Sequence, residues 1–140
     1  MLDLFILPTS LFNQSLTDAE LYEEIYKQFD KQVETFLGGT DERLNSNGEK
    51  SFFVPSNAIA AEYGEEIRGI DLVVYVYLCL LVFNNQENTV KLDINDLAKR
   101  TRIKKTQIKH SINHLVREQL ISESSRSGYY TILELELLLG

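Results

Sequence analysis

The chain has 140 residues, of which 44% are hydrophobic and 25% charged, with a formal net charge of −7. These values fit a folded soluble chain of one domain, or a small domain with an extension, and exclude a disordered tail. The single cysteine, Cys79, excludes an internal disulfide framework and suits a reducing compartment, so a cytoplasmic location is expected. The opening "MLDLFILPTS" has no basic n-region and carries Asp3 early, so no secretory signal is read there. The longest apolar run, residues 72–83, is 12 residues long, too short for a bilayer, and no membrane partner is expected.

The first expected element is a helix over "TDAELYEEIYKQFDKQVETFLGG". Thr17 with Glu20 forms a capping box, and Gly38-Gly39 supplies a stop. Tyr22, Tyr26, Phe29, Val33 and Phe36 alternate spacings of 4 and 3, a heptad seam that Leu21, Ile25 and Leu37 widen. This face either packs on its own domain or pairs with a second copy, so a homodimer through the 17–37 helix is one expectation. "TDERLNSNGEK" reads as a linker, "SFFVPSN" as extended with Val54 held in the β region by Pro55, and "AIAAEYGEEIRG" as a short helix. "IDLVVYVYLCLLVFNN" has strand-like composition but exceeds the length of a strand. It reads as a buried central helix with Asp71 as N-cap and Asn84-Asn85 as stop, Cys79 being an inert core residue.

The last third carries the charge. Residues 1–90 hold 5 basic against 15 acidic residues, a balance of −10, whereas residues 91–140 hold 9 against 6, a balance of +3. Between Lys91 and Arg117 stand 8 basic residues and only Asp93 and Asp96. Such asymmetry points to a local partner of opposite charge. "TVKL" reads as a short strand and "DINDLAKRT" as a helix with Asp93 as N-cap and Asp96 at N3. "RIKK" is a turn, residues 105–119 a second helix, "LIS" a strand, "ESSRSG" a turn and "YYTILELEL" a closing strand. Helix, turn, helix, strand, turn, strand is the plan of a winged helix-turn-helix.

On a helical wheel, Ile108, Ser111, Ile112 and Leu115 share one face, with Ile103 anchoring the preceding turn. Thr106, His110, Asn113 and Arg117 share the other, flanked by Gln107, Lys109 and His114. A helix in the major groove needs such a division, with polar side chains for base edges and cations for phosphates. The candidate base readers are Thr106, Gln107, His110 and Asn113. The candidate phosphate contacts are Arg102, Lys104, Lys105, Lys109 and, at the turn tip between the last strands, Arg126; Arg100 is a further phosphate candidate. The expected fold is therefore mainly α with a small β-wing: a winged helix-turn-helix over residues 51–140, preceded by an amphipathic N-terminal helix and linker over residues 1–50.

The stretch from "SFFVPSNAI" through "IDLVVYVYLCLLVF" to "LAKRTRIKKTQIKHSINHLVREQLI" resembles the winged-helix domain of DnaD-like and plasmid or phage replication initiators. Those proteins often show an "(I/V)P" segment, a helix rich in Leu and Tyr, and a helix pair ending in "L…GLI"; about 90 residues are covered. Gln119 stands where the family commonly carries Gly. The resemblance implies a bacterial, plasmid or phage protein that binds double-stranded DNA in replication initiation or its control, with a replication or transcription protein as a further partner. A small transcriptional repressor of the same fold, or a winged-helix protein-interaction module that binds no DNA, are the alternatives.

Other chemistries find little support. His110, His114 and Glu118 form a stripe, but a zincin helix needs Glu after the first His, and Ser111 stands there, so no metal is expected. The carboxylates come in solvated runs, Gly64 and Gly69 make no phosphate loop, and one Cys with two neighbouring His makes no nucleophilic triad. Neither an enzyme nor a cofactor is expected.

Overall fold

The structure, a computed structural model, describes residues 3–37 and 50–135. It is mostly helical, with two small antiparallel sheets. The Gly38-Gly39 stop, the linker before Lys50 and the chain after residue 135 lie outside the described residues.

The first described element is a strand not expected from the sequence: β1 (Leu4–Pro8) pairs antiparallel with β2 (Ser51–Pro55), Leu4 opposite Pro55 and Pro8 opposite Ser51. Phe5, Leu7, Phe52 and Val54 alternate inward, the period of two that a half-buried sheet requires. The amide of Gln32 bonds both backbone groups of Ile6: its Oε1 accepts from the N–H at 2.8 Å and its Nε2 donates to the carbonyl at 2.7 Å. A short 3-10 helix (Leu11–Asn13) follows, then α1 (Asp18–Leu37). The Thr17 capping box is formed, with Thr17 N donating to Glu20 Oε1 at 3.0 Å and Glu20 N to Thr17 Oγ1 at 3.2 Å.

Among the described side chains of α1, Leu21 and Ile25, which flank the expected seam, are fully buried, while Tyr22, Tyr26, Phe29 and Val33 are half-buried against the same core. The described seam residues work within the chain. Tyr22 donates to Glu62 Oε1 at 2.6 Å, Tyr26 donates to Glu62 Oε2, and Phe29 meets Phe5 edge-to-face at 5.2 Å.

After α2 (Asn57–Tyr63) comes α3 (Gly69–Asn85), whose residues 71–80 are all buried. A helix apolar on every side has to be wrapped, and α1, α2, α5, β2 and β3 all pack on it. Asp71 is the third helical residue, not the N-cap. The N-cap is Arg68, whose N–H donates to Asp71 Oδ2 at 2.8 Å.

The chain then gives β3 (Thr89–Lys91), α4 (Ile94–Thr101), α5 (Lys105–Arg117), β4 (Ile121–Glu123) and β5 (Tyr129–Ile132), the strands lying in the order β3-β5-β4. The closing strand is shorter than expected, and residues 133–135 are helical. Ile132 and Leu135 are buried three residues apart, a helical spacing, and Leu and Glu are good helix formers. Among the described residues no helix is long and apolar enough to cross a membrane.

The end of α5 answers the question raised by Gln119. Leu120 N donates to Leu115 O at 3.0 Å and Gln119 N to Val116 O at 3.1 Å, the paired bonds of a Schellman motif, with Gln119 left-handed at φ 60°. Leu115 and Leu120, both buried, supply its apolar contact. Packing holds a side chain in a conformation that glycine takes freely. Gln119→Gly should therefore stabilise the fold by about 0.5–1 kcal/mol, the relief of left-handed strain less the added chain entropy. A urea midpoint that falls instead would count against this.

Candidate nucleic-acid interface

Two helices and a hairpin present the charged face, and each has a local reason for its place. In α4, the Asp93 carboxylate accepts from Asp96 N at 3.1 Å, the expected cap, and the helix ends on Arg102 in the left-handed region at φ 62°. Thr101, fully buried, builds the following turn: its hydroxyl donates to Leu97 O at 2.7 Å and accepts from Ile103 N at 3.3 Å. Buried Ile103 anchors the turn, and Lys104 becomes the extended N-cap of α5.

Lys104 makes no capping bond with its side chain, and the first turn of α5 holds no acidic residue. Two lysines thus stand at the positive end of a helix dipole, an unfavourable placement worth about 0.3–1 kcal/mol per charge. Along α5, Ile108, Ser111, Ile112 and Leu115 are buried toward α3, while Lys105, Thr106, Gln107, Lys109, His110 and Asn113 are exposed. From Leu97 to Val116 there are six cations and no carboxylate.

The hairpin from β4 to β5 closes through Ser124 N donating to Tyr129 O at 2.8 Å, with Gly128 at φ 85° where a side chain would be strained. Arg126 at its tip is exposed and lies over the Tyr129 ring, 4.2 Å from the centroid, with Nη2 donating to Tyr129 Oη at 3.2 Å. All nine sequence candidates, Arg102, Lys104, Lys105, Thr106, Gln107, Lys109, His110, Asn113 and Arg126, are exposed.

His114, given to this face by the sequence, lies elsewhere, and Arg100 is held by partners within the chain. His114 is half-buried, and its Nδ1 lies 3.1 Å from Asp71 Oδ2, so it faces α3 instead of flanking the outer surface. At about 80° from the centre of the outer face it is a boundary position on the wheel, and a buried carboxylate draws it inward. Arg100 donates from Nε to Asp96 at 2.9 Å and from Nη1 to Asn13 Oδ1 at 2.7 Å. Tyr77 donates to the same Asp96 carboxylate at 2.7 Å, so one network ties α4 to α3 and to the N-terminal segment. The Tyr77 hydrogen bond leads the Asp96 pKa downward, with Arg100 adding to it, while burial and then the Asp96 bond push Tyr77 upward. The sequence had no signal for a partner of Arg100 87 residues away. Among the described residues no group of three His, Cys, Asp or Glu is placed to hold a metal ion.

Asp71 ties α3 to α5 through His114. Its carboxylate is fully buried and accepts from Arg68 N at 2.8 Å, from Arg68 Nη2 at 3.1 Å and from the His114 ring. Burial pushes its pKa up, but the nearby Ser111 hydroxyl, the two Arg68 donors and His114 together outweigh it, and the group titrates below the usual range. Ser111 Oγ lies close to the carboxylate without reaching hydrogen-bond geometry.

No family model, curated protein or solved structure matches the chain.

Because the Asp71 pKa is depressed on folding, its contribution is fully present above the unfolded value of about 3.9 and is lost as pH falls through the lower folded value. Asp71→Ala should cost about 3 kcal/mol at pH 7, the low end for breaking a buried pair, since Arg68 and His114 keep access to water. Urea unfolding of both proteins from pH 7 to pH 3 checks this: the gap between midpoints should shrink only below about pH 4.

Proposed function

We propose that the chain binds double-stranded DNA sequence-specifically, through a winged helix-turn-helix in which α4 and α5 are the helix pair, α5 enters the major groove, and the β4–β5 hairpin is the wing. The observation that carries this is the division of α5. Its aliphatic face is sealed against α3, while Thr106, Gln107, His110 and Asn113 stand outward between Lys104, Lys105, Lys109, Arg102 and Arg126. Amide, hydroxyl and imidazole groups suit base edges, and the flanking cations suit the two phosphate backbones.

The unfavourable lysines at the α5 N-terminus support the same reading. A chain of net charge −7 that gathers cations where a helix end repels them is arranged for a polyanion, whose approach turns that repulsion into attraction. The resemblance to DnaD-like and plasmid or phage initiators favours a role in replication initiation or its control; a small repressor would use the same surface.

Duplex binding of the wild type should weaken linearly in log affinity against log salt. Changing Lys104, Lys105 and Lys109 to Ala should reduce that slope by roughly 3, about 0.9 per lost phosphate contact. The same variant should unfold at an equal or higher temperature, because two of the charges removed oppose the helix dipole. Indistinguishable titrations of wild type and variant would reject the α5 assignment.

A further inference from the structure

We propose that a cleft between the N-terminal 3-10 helix and the C-terminal end of α4 is a phosphate-binding site. It encloses about 310 Å³ and is lined by Phe12, Asn13, Ser15, Lys99, Arg100 and Arg102. Phe12 is buried and meets Tyr77 edge-to-face at 5.0 Å, which fixes this wall of the cleft to α3. Three cations come from α4 and its cap, and two polar side chains come from a segment more than 80 residues earlier.

The donors at the cleft are partly held in place. Arg100 spends Nε on Asp96 and Nη1 on Asn13 Oδ1, which orients the guanidinium and leaves most of its five N–H donors unspent in those bonds. Asn13 accepts through Oδ1 and therefore keeps its Nδ2 as a donor. Lys99 makes no ion pair among the described residues. Asp96 and Glu20 are the nearby carboxylates: the first is paired with Arg100, and the second accepts from Thr17 N and is close enough to Arg102 to feel its charge. The cleft is left with positive charge, hydroxyl and amide donors, which is the chemistry of a phosphate group.

Complementing the dipole at the end of α4 accounts for Lys99 and Arg100 on the helix, but not for a hollow completed by Asn13 and Ser15. Arg102 also begins the turn into α5, so the cleft adjoins the uncapped end of that helix. The phosphate has two possible sources, a duplex backbone beside the groove-bound helix and a free phosphate compound. Only the first source rests on the DNA reading.

Two titrations followed by backbone amide resonances separate these. Pyrophosphate should shift Asn13, Ser15, Lys99 and Arg102 to saturation, and Lys99→Ala, at an exposed site, should weaken that binding by about tenfold. A short duplex should shift the same amides, and Lys99→Ala should lower the salt slope of duplex binding by about 1. Response to pyrophosphate alone assigns the cleft to a free phosphate compound and keeps the proposal, even where wild type binds no duplex and the DNA reading fails. If neither ligand moves these amides, or Lys99→Ala changes neither titration while the α5 lysine variant loses duplex binding, the cleft proposal is overturned and the α5 reading stands.

Discussion

The constraint on which the structure rests is that α3 is apolar on every side. A helix with no polar face cannot lie on a surface, so α1, α2, α5, β2 and β3 are packed around it to keep water away. This explains why β1, the 3-10 helix and α1 are built into the core instead of trailing from it. Phe5, Leu7, Leu11, Phe12, Leu21 and Ile25 share one buried cluster with Leu72, Tyr75, Leu78 and the inner face of α5. A pair of helices and a hairpin alone would leave uncovered the sides of α3 on which α1, α2 and β2 pack.

Asp71 is the polar exception within that helix. Near the α3 N-terminus its charge is favoured by the dipole, and from there it reaches both the Arg68 cap and His114 on α5. Apolar packing fixes how far α5 sits from α3 but permits rotation about its own axis. The burial of Ile108, Ile112 and Leu115 chooses which face turns out, and the directional bond to His114 adds to that restraint.

Much of this was legible in the sequence wherever the signal was local. The Thr17 capping box, the Asp93 cap, the central helix over the apolar run of residues 72–83, buried as far as Leu80, and the alternation of buried and exposed positions along α5 depend on neighbours within a turn or two. What was not legible depends on distant partners. Leu4–Pro8 is a strand because residues 51–55 lie beside it, and five residues containing a proline give no periodicity to read alone. His114 sat on the boundary of the wheel, and only the carboxylate of Asp71, 43 residues earlier, decides its side. Gln119 shows the opposite failing of a local rule: a position where glycine is favoured was occupied by another residue, and the helix ended there in the same geometry because Leu115 and Leu120 hold it.

The Gln32 amide that grips both backbone groups of Ile6 bears on how the molecule behaves in a crowd. A two-stranded ribbon exposes an edge that invites a third strand from another molecule, and β1 is apolar enough to accept one. By occupying the hydrogen-bonding positions at the midpoint of that edge, one side chain from α1 acts as a stopper. Strand addition at the β1 edge then has to wait for α1 to peel away, which ties protection of that edge to the integrity of the helix.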